Sequence, residues 1–222
     1  MGVVDLKPLR VLLADDHALL RDGLRALLEQ QPNLEIVAEA GNGREAVRRA
    51  EETRPDVVLM DIAMPDLNGL DATRQIRRLL PETKVLILSM YEDQEYIYEL
   101  LRAGASGYLL KGSASAELLT AIEVVARGEC FLSPSVAGRV VEGYVRGSAE
   151  PRQPASPAVL TPREREILQL VTEGYSNIAI GERLGISPKT VEVHRAHLAD
   201  KLDIHDLPGL VKYAIRKGII KI

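Results

Sequence analysis

The chain has 222 residues and a mass of 24.4 kDa, enough for one large domain or two modest ones at roughly 100 to 200 residues each. Hydrophobic residues make up 46% and charged residues 27% of it, which excludes a disordered or collagen-like polymer. The formal net charge of −4 divides unevenly, with 18 Lys+Arg against 24 Asp+Glu through residue 155 and 10 against 8 beyond it; the slightly basic end falls short of a strongly basic nucleic-acid binder and is compatible with a modest one.

The N-terminal MGVVDLKPLR lacks the basic-then-apolar pattern of a signal peptide, and no apolar run reaches the ~20 residues of a bilayer span. A cytosolic protein with no membrane partner is expected. The single cysteine, Cys130, excludes an intrachain disulfide and a cysteine metal cluster.

Along the first ~130 residues, short apolar runs alternate with amphipathic stretches. Leu9–Ala14, Leu34–Ala38, Asp56–Met60, Lys84–Ser89 and Gly107–Leu110 have the nearly all-apolar pattern of strands buried on both faces. Between them Leu20, Leu24, Leu27 and Leu28, then Leu70, Ile76, Leu79 and Leu80, then Tyr96, Leu100 and Leu101 follow helical spacing. Parallel neighbours need crossover helices, so the pattern predicts a doubly wound α/β unit with a five-stranded parallel sheet. After Ile122–Ala126 the rhythm breaks. Pro134 is placed to open a short helix through Tyr144, and the following RGSAEPRQPASPA has the composition of a linker.

From Thr161 the pattern is helical only. Thr161-Pro162-Arg163-Glu164 reads as a capping box with proline at the first helical position, and Gly174 ends that helix. A second helix runs from Ser176 to Leu184, Gly185 makes a turn, Ser187-Pro188 starts a third helix reaching about Leu202, and a fourth covers Leu207–Lys217. Two helices about a tight glycine turn describe a helix-turn-helix, whose second member enters the major groove of DNA. Ile167, Leu170, Val171, Ile180, Leu184, Val191, Leu198 and Leu202 can share one core, leaving a Lys189, Glu192, Val193 and Ala196 face exposed.

Open parallel sheets bind ligands at the carboxyl ends of their strands. There Asp15 and Asp16 follow the first strand, Asp61 ends the third, Ser89 ends the fourth and Lys111 follows the fifth. Three converging carboxylates repel one another unless a hard cation such as Mg²⁺ lies between them. A metal-neutralised aspartate can then attack phosphorus while a lysine and a hydroxyl bind the phosphoryl oxygens. The set describes an aspartyl-phosphate site. A lone acidic pair would be a solvated turn, but four strand ends supply matching chemistry. His17 is read as an exposed residue of the first helix.

The segments VLLADDH, VVLMDIAMPDLNGLD, VLILSMY and GASGYLLKG resemble the receiver domain of two-component response regulators, with a flavodoxin-like fold. The resemblance implies phosphorylation of Asp61 by a histidine kinase, Mg²⁺ held by Asp15, Asp16, Asp61 and the Ala63 carbonyl, sensing of the phosphoryl group by Ser89 and Lys111, and a switch role for Tyr108, which also reads as a core tyrosine. Gly112 stands where many receivers have proline, and Met90 where a smaller residue is common. The segment LTPREREILQLVTEGYSNIAIGERLGISPKTVEVHRAHLADKL resembles the LuxR-type DNA-binding domain, and the pairing resembles the NarL/FixJ class. By that resemblance Lys189, Glu192 and Val193 face bases, while Thr190 and Arg195 hold phosphates. Spacing alone also allows Lys189, Glu192 and Arg195 to be a solvated charge ladder, and His194 and His197 lack a third metal ligand.

These readings divide the chain into a receiver at 8–127, a connecting segment with a short helix at 128–156, and a four-helix DNA-binding unit at 157–222. They predict a phosphorylation-controlled transcription factor that catalyses only its own phosphoryl transfer and hydrolysis. Its expected partners are a sensor histidine kinase, double-stranded promoter DNA, a second copy when phosphorylated, and RNA polymerase. One rival is a haloacid-dehalogenase-like phosphatase, which needs a second Asp where Ala63 stands; another is a docking regulator that binds no DNA.

Overall fold

The structure is a computed structural model that describes residues 7–90, 94–145 and 160–220. Six strands, β1 (Leu9–Ala14), β2 (Leu34–Ala40), β3 (Val57–Asp61), β4 (Lys84–Ser89), β5 (Gly107–Leu110) and β6 (Phe131–Leu132), form one parallel sheet in the order β2-β1-β3-β4-β5-β6. The expected five-stranded sheet is therefore one strand short. β6 has only two residues, too few to carry a periodic signal, and it pairs through Gly107–Phe131 and Tyr108–Leu132. β3 begins at Val57, one residue later than expected, and the Asp56 carboxylate just before it accepts from the Arg10 backbone N–H at 2.8 Å.

Alternation along each strand sorts the core into two layers. Leu12, Val58, Met60, Val85, Ile87 and Tyr108 face the side covered by α2 (Gly43–Thr53), α3 (Gly69–Leu79) and α4 (Gln94–Arg102). Val11, Leu13, Leu59, Leu86 and Leu109 face the side covered by α1 (Ala18–Leu28) and α5 (Ser115–Ala126). Helix starts are set by local chemistry: the Asn42 and Asn68 side chains accept from the third-residue N–H groups of α2 and α3. After β6, α6 (Pro134–Val145) lies beside α4, with Tyr98 Oη donating to Val140 O at 2.8 Å and Val136 in the sheet's own core. The proline-rich stretch at 146–158 lies outside the described residues.

The remaining helices, α7 (Pro162–Thr172), α8 (Asn177–Leu184), α9 (Pro188–Leu202) and α10 (Leu207–Arg216), enclose a separate core of Ile167, Leu170, Ile180, Val191, Leu198 and Leu210. Thr161 and Glu164 form the capping box, Ser176 and Ser187 cap α8 and α9, and Gly185 ends α8 in the left-handed region at φ 64°. Lys201 Nζ on α9 reaches Glu164 at 2.8 Å, tying the third helix of the unit to the start of the first. Among the described residues no helix is long and apolar enough to cross a membrane.

Candidate functional site

In the strand order above, β1 lies between β2 and β3, so its two neighbours are reached by crossovers on opposite faces. This leaves a crevice at the carboxyl ends of β1 and β3. The crevice holds the acidic cluster: ligand atoms of Asp15, Asp16, His17 and Asp61 all lie within 4.8 Å of one another. Asp15 and Asp61 are buried. Lys111, carried past the end of β5, places Nζ 2.7 Å from Asp15 Oδ2 and 2.8 Å from Asp61 Oδ1. Burial works against the Lys111 ammonium, but the Asp61 and Asp15 carboxylates outweigh it and hold its pKa above the ordinary lysine value.

Backbone geometry fixes these groups. Ile62 N–H donates to Asp61 Oδ1 at 2.8 Å, and Lys111 N–H donates to the Ser89 carbonyl at 2.7 Å, which ties the end of β4 to the residue after β5. Ser89 is buried beside them and Met90 turns out to solvent. Gly112 adopts φ 123°, which proline's ring forbids and which accounts for glycine after Lys111. Tyr108 is fully buried in the α2–α4 layer, the position of a core tyrosine. His17 corrects the sequence reading in part: it is exposed, but it is the N-cap of α1 rather than within it, and its Nδ1 lies 3.2 Å from Asp15 Oδ1 and 3.1 Å from Asp16 Oδ1.

On α9 the outward face carries Lys189, Thr190, Glu192 and Val193, all exposed. Lys189 Nζ pairs with Glu192 Oε2 at 2.9 Å, Thr190 N–H donates to the capping Ser187 Oγ at 3.0 Å, and the half-buried Arg195 donates to Asn177 Oδ1 at 2.7 Å. A rigid helix thus presents donors, an acceptor and an apolar contact on one open side.

Nothing in the spacing of the sequence indicates how α7 meets the loop after Asp61. Gln169, fully buried, donates from Nε2 to Met64 O at 2.8 Å and accepts at Oε1 from Asn68 N–H at 2.9 Å and Asn68 Nδ2 at 3.1 Å. Arg165 reaches Asp71 at 3.3 Å and Glu99 at 3.4 Å. Asp66, at φ 64°, has its N–H aimed at Glu173 and its carboxylate 3.3 Å from Arg183. Tyr96 Oη on α4 donates to Gly218 O at 3.2 Å. The one available signal was the polar residues of α7 that its helical period leaves over from the core.

Known protein families match both parts of the chain. The response regulator receiver domain profile matches residues 11–123, and that of bacterial regulatory proteins of the luxR family matches residues 158–214. The oxygen regulatory protein NreC of Staphylococcus aureus (strain MRSA252) is 41% identical over 216 residues, covering 96% of this chain and 100% of NreC. The transcriptional regulatory protein DegU of Brevibacillus brevis is 38% identical over 99% of this chain and 98% of DegU. A structure of the Salmonella typhimurium RcsB response regulator, solved in a study of DNA interaction, aligns with a TM-score of 0.58 at 25% identity over 93% of this chain and 98% of RcsB. With the acidic crevice, the helix-turn-helix and both profiles in a single chain, the protein belongs to the NarL/FixJ class of DNA-binding response regulators, in which a receiver domain is joined to a LuxR-type helix-turn-helix.

Proposed function

We propose that a sensor histidine kinase phosphorylates Asp61 and that the modification shifts a monomer–dimer equilibrium governing promoter binding. The observation that carries this reading is the buried Asp61 carboxylate, 2.8 Å from Lys111 at the β1–β3 crevice. A carboxylate oxygen of Asp61 attacks phosphorus, the P–N bond to the donor imidazole breaks, and an acyl phosphate forms. Lys111 and Ser89 then receive phosphoryl oxygens, and Tyr108 is the residue that couples this to the α4 side.

Receiver domains bind Mg²⁺ at an acidic pocket, and the donor set here fits such an ion: three carboxylates converge on a single lysine, which leaves negative charge for a hard divalent cation to neutralise. Asp15, Asp16, Asp61 and the Ala63 carbonyl would hold it, and it would supply charge neutralisation for the incoming phosphoryl group. The family consists of transcription regulators rather than metabolic enzymes; self-phosphorylation from small donors and self-hydrolysis belong to the present reading.

The division into a receiver at 8–127, a connecting segment at 128–156 and a DNA-binding unit at 157–222 goes with it, as does action in the cytoplasm on double-stranded promoter DNA with RNA polymerase nearby. On DNA, Lys189, Glu192 and Val193 read bases and Thr190 and Arg195 hold phosphates. Because the α9 face is exposed while α7 is docked, control acts through pairing of two weak half-site binders, whose linkage raises effective concentration. Incubation with acetyl phosphate and Mg²⁺ followed by intact-mass measurement tests the site: one phosphoryl group is expected on the wild type and none on Asp61→Asn. A modified Asn variant at the wild-type level overturns the assignment. Sedimentation that shows the same monomer fraction with and without confirmed modification overturns the control step.

A further inference from the structure

A cleft of about 420 Å³ opens where α2 and α3 of the receiver face α7 and α8 of the DNA-binding unit. Its walls are dominated by guanidinium groups: Arg44 from the first turn of α2, Arg74 and Arg78 one turn apart on α3, Arg163 from the first turn of α7 and Arg183 from the last turn of α8. Among the described residues two carboxylates line it, Asp71 and Glu166. Both are already engaged, Asp71 by Arg74 at 2.9 Å and Arg165 at 3.3 Å, Glu166 by Arg163 at 2.9 Å and Gln75 at 3.2 Å. Asp66, outside the cleft, takes up Arg183. An excess of positive charge remains, and it resides on Arg44 and Arg78. Among the described residues the Nε and Nη2 atoms of Arg44 have no hydrogen-bond acceptor, so this guanidinium is not committed to a protein carboxylate or carbonyl through them.

We propose that this cleft binds a condensed phosphate, a chain of two or three phosphoryl groups, either free or as the tail of a nucleotide. Planar guanidiniums grip phosphate oxygens in pairs, and several converging from different helices suit an anion with several oxygens better than a single carboxylate. The volume lies within the usual range for small-ligand sites. Among the described residues no aromatic side chain lines the cleft, so a nucleoside would hang outside without base selection. Because the arginines come from both units, occupancy favours the docked arrangement over any in which the units part.

Calorimetric titration of the full chain tests this in metal-free buffer, where the Asp61 crevice cannot recruit phosphate through a cation. Pyrophosphate and tripolyphosphate are expected to bind at least about tenfold more tightly than orthophosphate, and adenosine and cytidine diphosphates within about threefold of each other. Arg44→Ala combined with Arg78→Ala is expected to weaken pyrophosphate at least about tenfold, and Arg78→Glu alone to do much the same, with acetyl phosphate labelling of Asp61 unchanged as evidence of an intact fold. Pyrophosphate binding no tighter than orthophosphate, or equal in wild type and variants, overturns the proposal. A strong base preference overturns the ligand class. If the double variant loses DNA affinity as steeply as pyrophosphate affinity, the arginines belong to the DNA interface and the proposal fails while the regulatory reading stands.

Discussion

Gly69 opens α3 directly against the carbonyl of Asp61. A Cβ at that position would lie 2.0 Å from Asp61 O and 2.9 Å from Ile62 Cα, and both neighbours are backbone, so no side chain can swing away. Gly69→Ala is expected to push the loop off Asp61, costing on the order of 1 to 3 kcal/mol. The result should be a lower denaturation midpoint together with slower labelling by acetyl phosphate. A variant that matches the wild type on both measures removes the claim that this contact positions the carboxylate. Asp15, Asp16, Asp61, Ser89 and Lys111 were legible from sequence because each follows an apolar run, and strand ends in such a sheet share one edge. The left-handed Asp66 was not legible. Nothing local demands φ 64° of an aspartate, and its partners Glu173 and Arg183 lie more than a hundred residues away.

At the scale of the element, α9 was readable almost to the residue, since Ser187 and Pro188 mark its start by satisfying or dispensing with N–H groups that lack helical partners. What its outer face does depends on the pair Lys189–Glu192. That ion pair is largely exposed, so it adds little stability, and Glu192→Ala should leave the melting temperature essentially unchanged. A carboxylate has the wrong sign for phosphate and accepts most naturally from cytosine N4. The same variant should therefore lose on the order of 1 to 3 kcal/mol of discrimination at one base position while keeping or raising non-specific affinity. Binding measured over a randomised half-site decides it, and retention of the full wild-type preference assigns Glu192 to the surface. Arg195→Ala should differ in kind. It weakens every sequence alike and flattens the salt dependence by about one counterion, and it also gives up the bond to Asn177 that joins α9 to α8. The two-residue β6 shows where element-level reading stops: only pairing with β5 reveals it.

At the scale of the whole molecule, the docking of α7 rests on polar contacts. Gln169→Ala leaves Met64 O and Asn68 N–H without their partner in a buried place, so the docked state should lose about 1 to 3 kcal/mol. Small-angle scattering should show a larger radius than for the wild type; an unchanged radius counts against the contact as a latch. Docking should also respond to pH through Glu173. Burial raises its carboxyl pKa and Asp66 adds to that, against the opposing bonds from Gln169 and Asp66 N–H and the charge of Arg183. A raised docked-state pKa means the docked form keeps a proton that the parted form has released. This contribution to docking is full below the ordinary glutamate range and is lost as pH rises through the docked-state value. The scattering radius should grow over that window in the wild type and hold constant in Glu173→Gln. None of this was visible in sequence, because Arg165, Glu166 and Gln169 look like the solvated side of an amphipathic helix whose other side carries Ile167, Leu170 and Val171.

The latch at Met64, Asp66 and Asn68 takes hold of three main-chain groups, a carbonyl oxygen and two N–H groups, beside the side chains of Asp66 and Asn68. Every residue offers such a carbonyl, and every residue except proline such an N–H, whatever side chain mutation installs. The β3–α3 loop is thereby a standard fitting, and a gene fusion that set this helical unit behind a receiver of different sequence but the same loop length would meet those three atoms again. Recombination between regulators can then exchange inputs without first reinventing the seam.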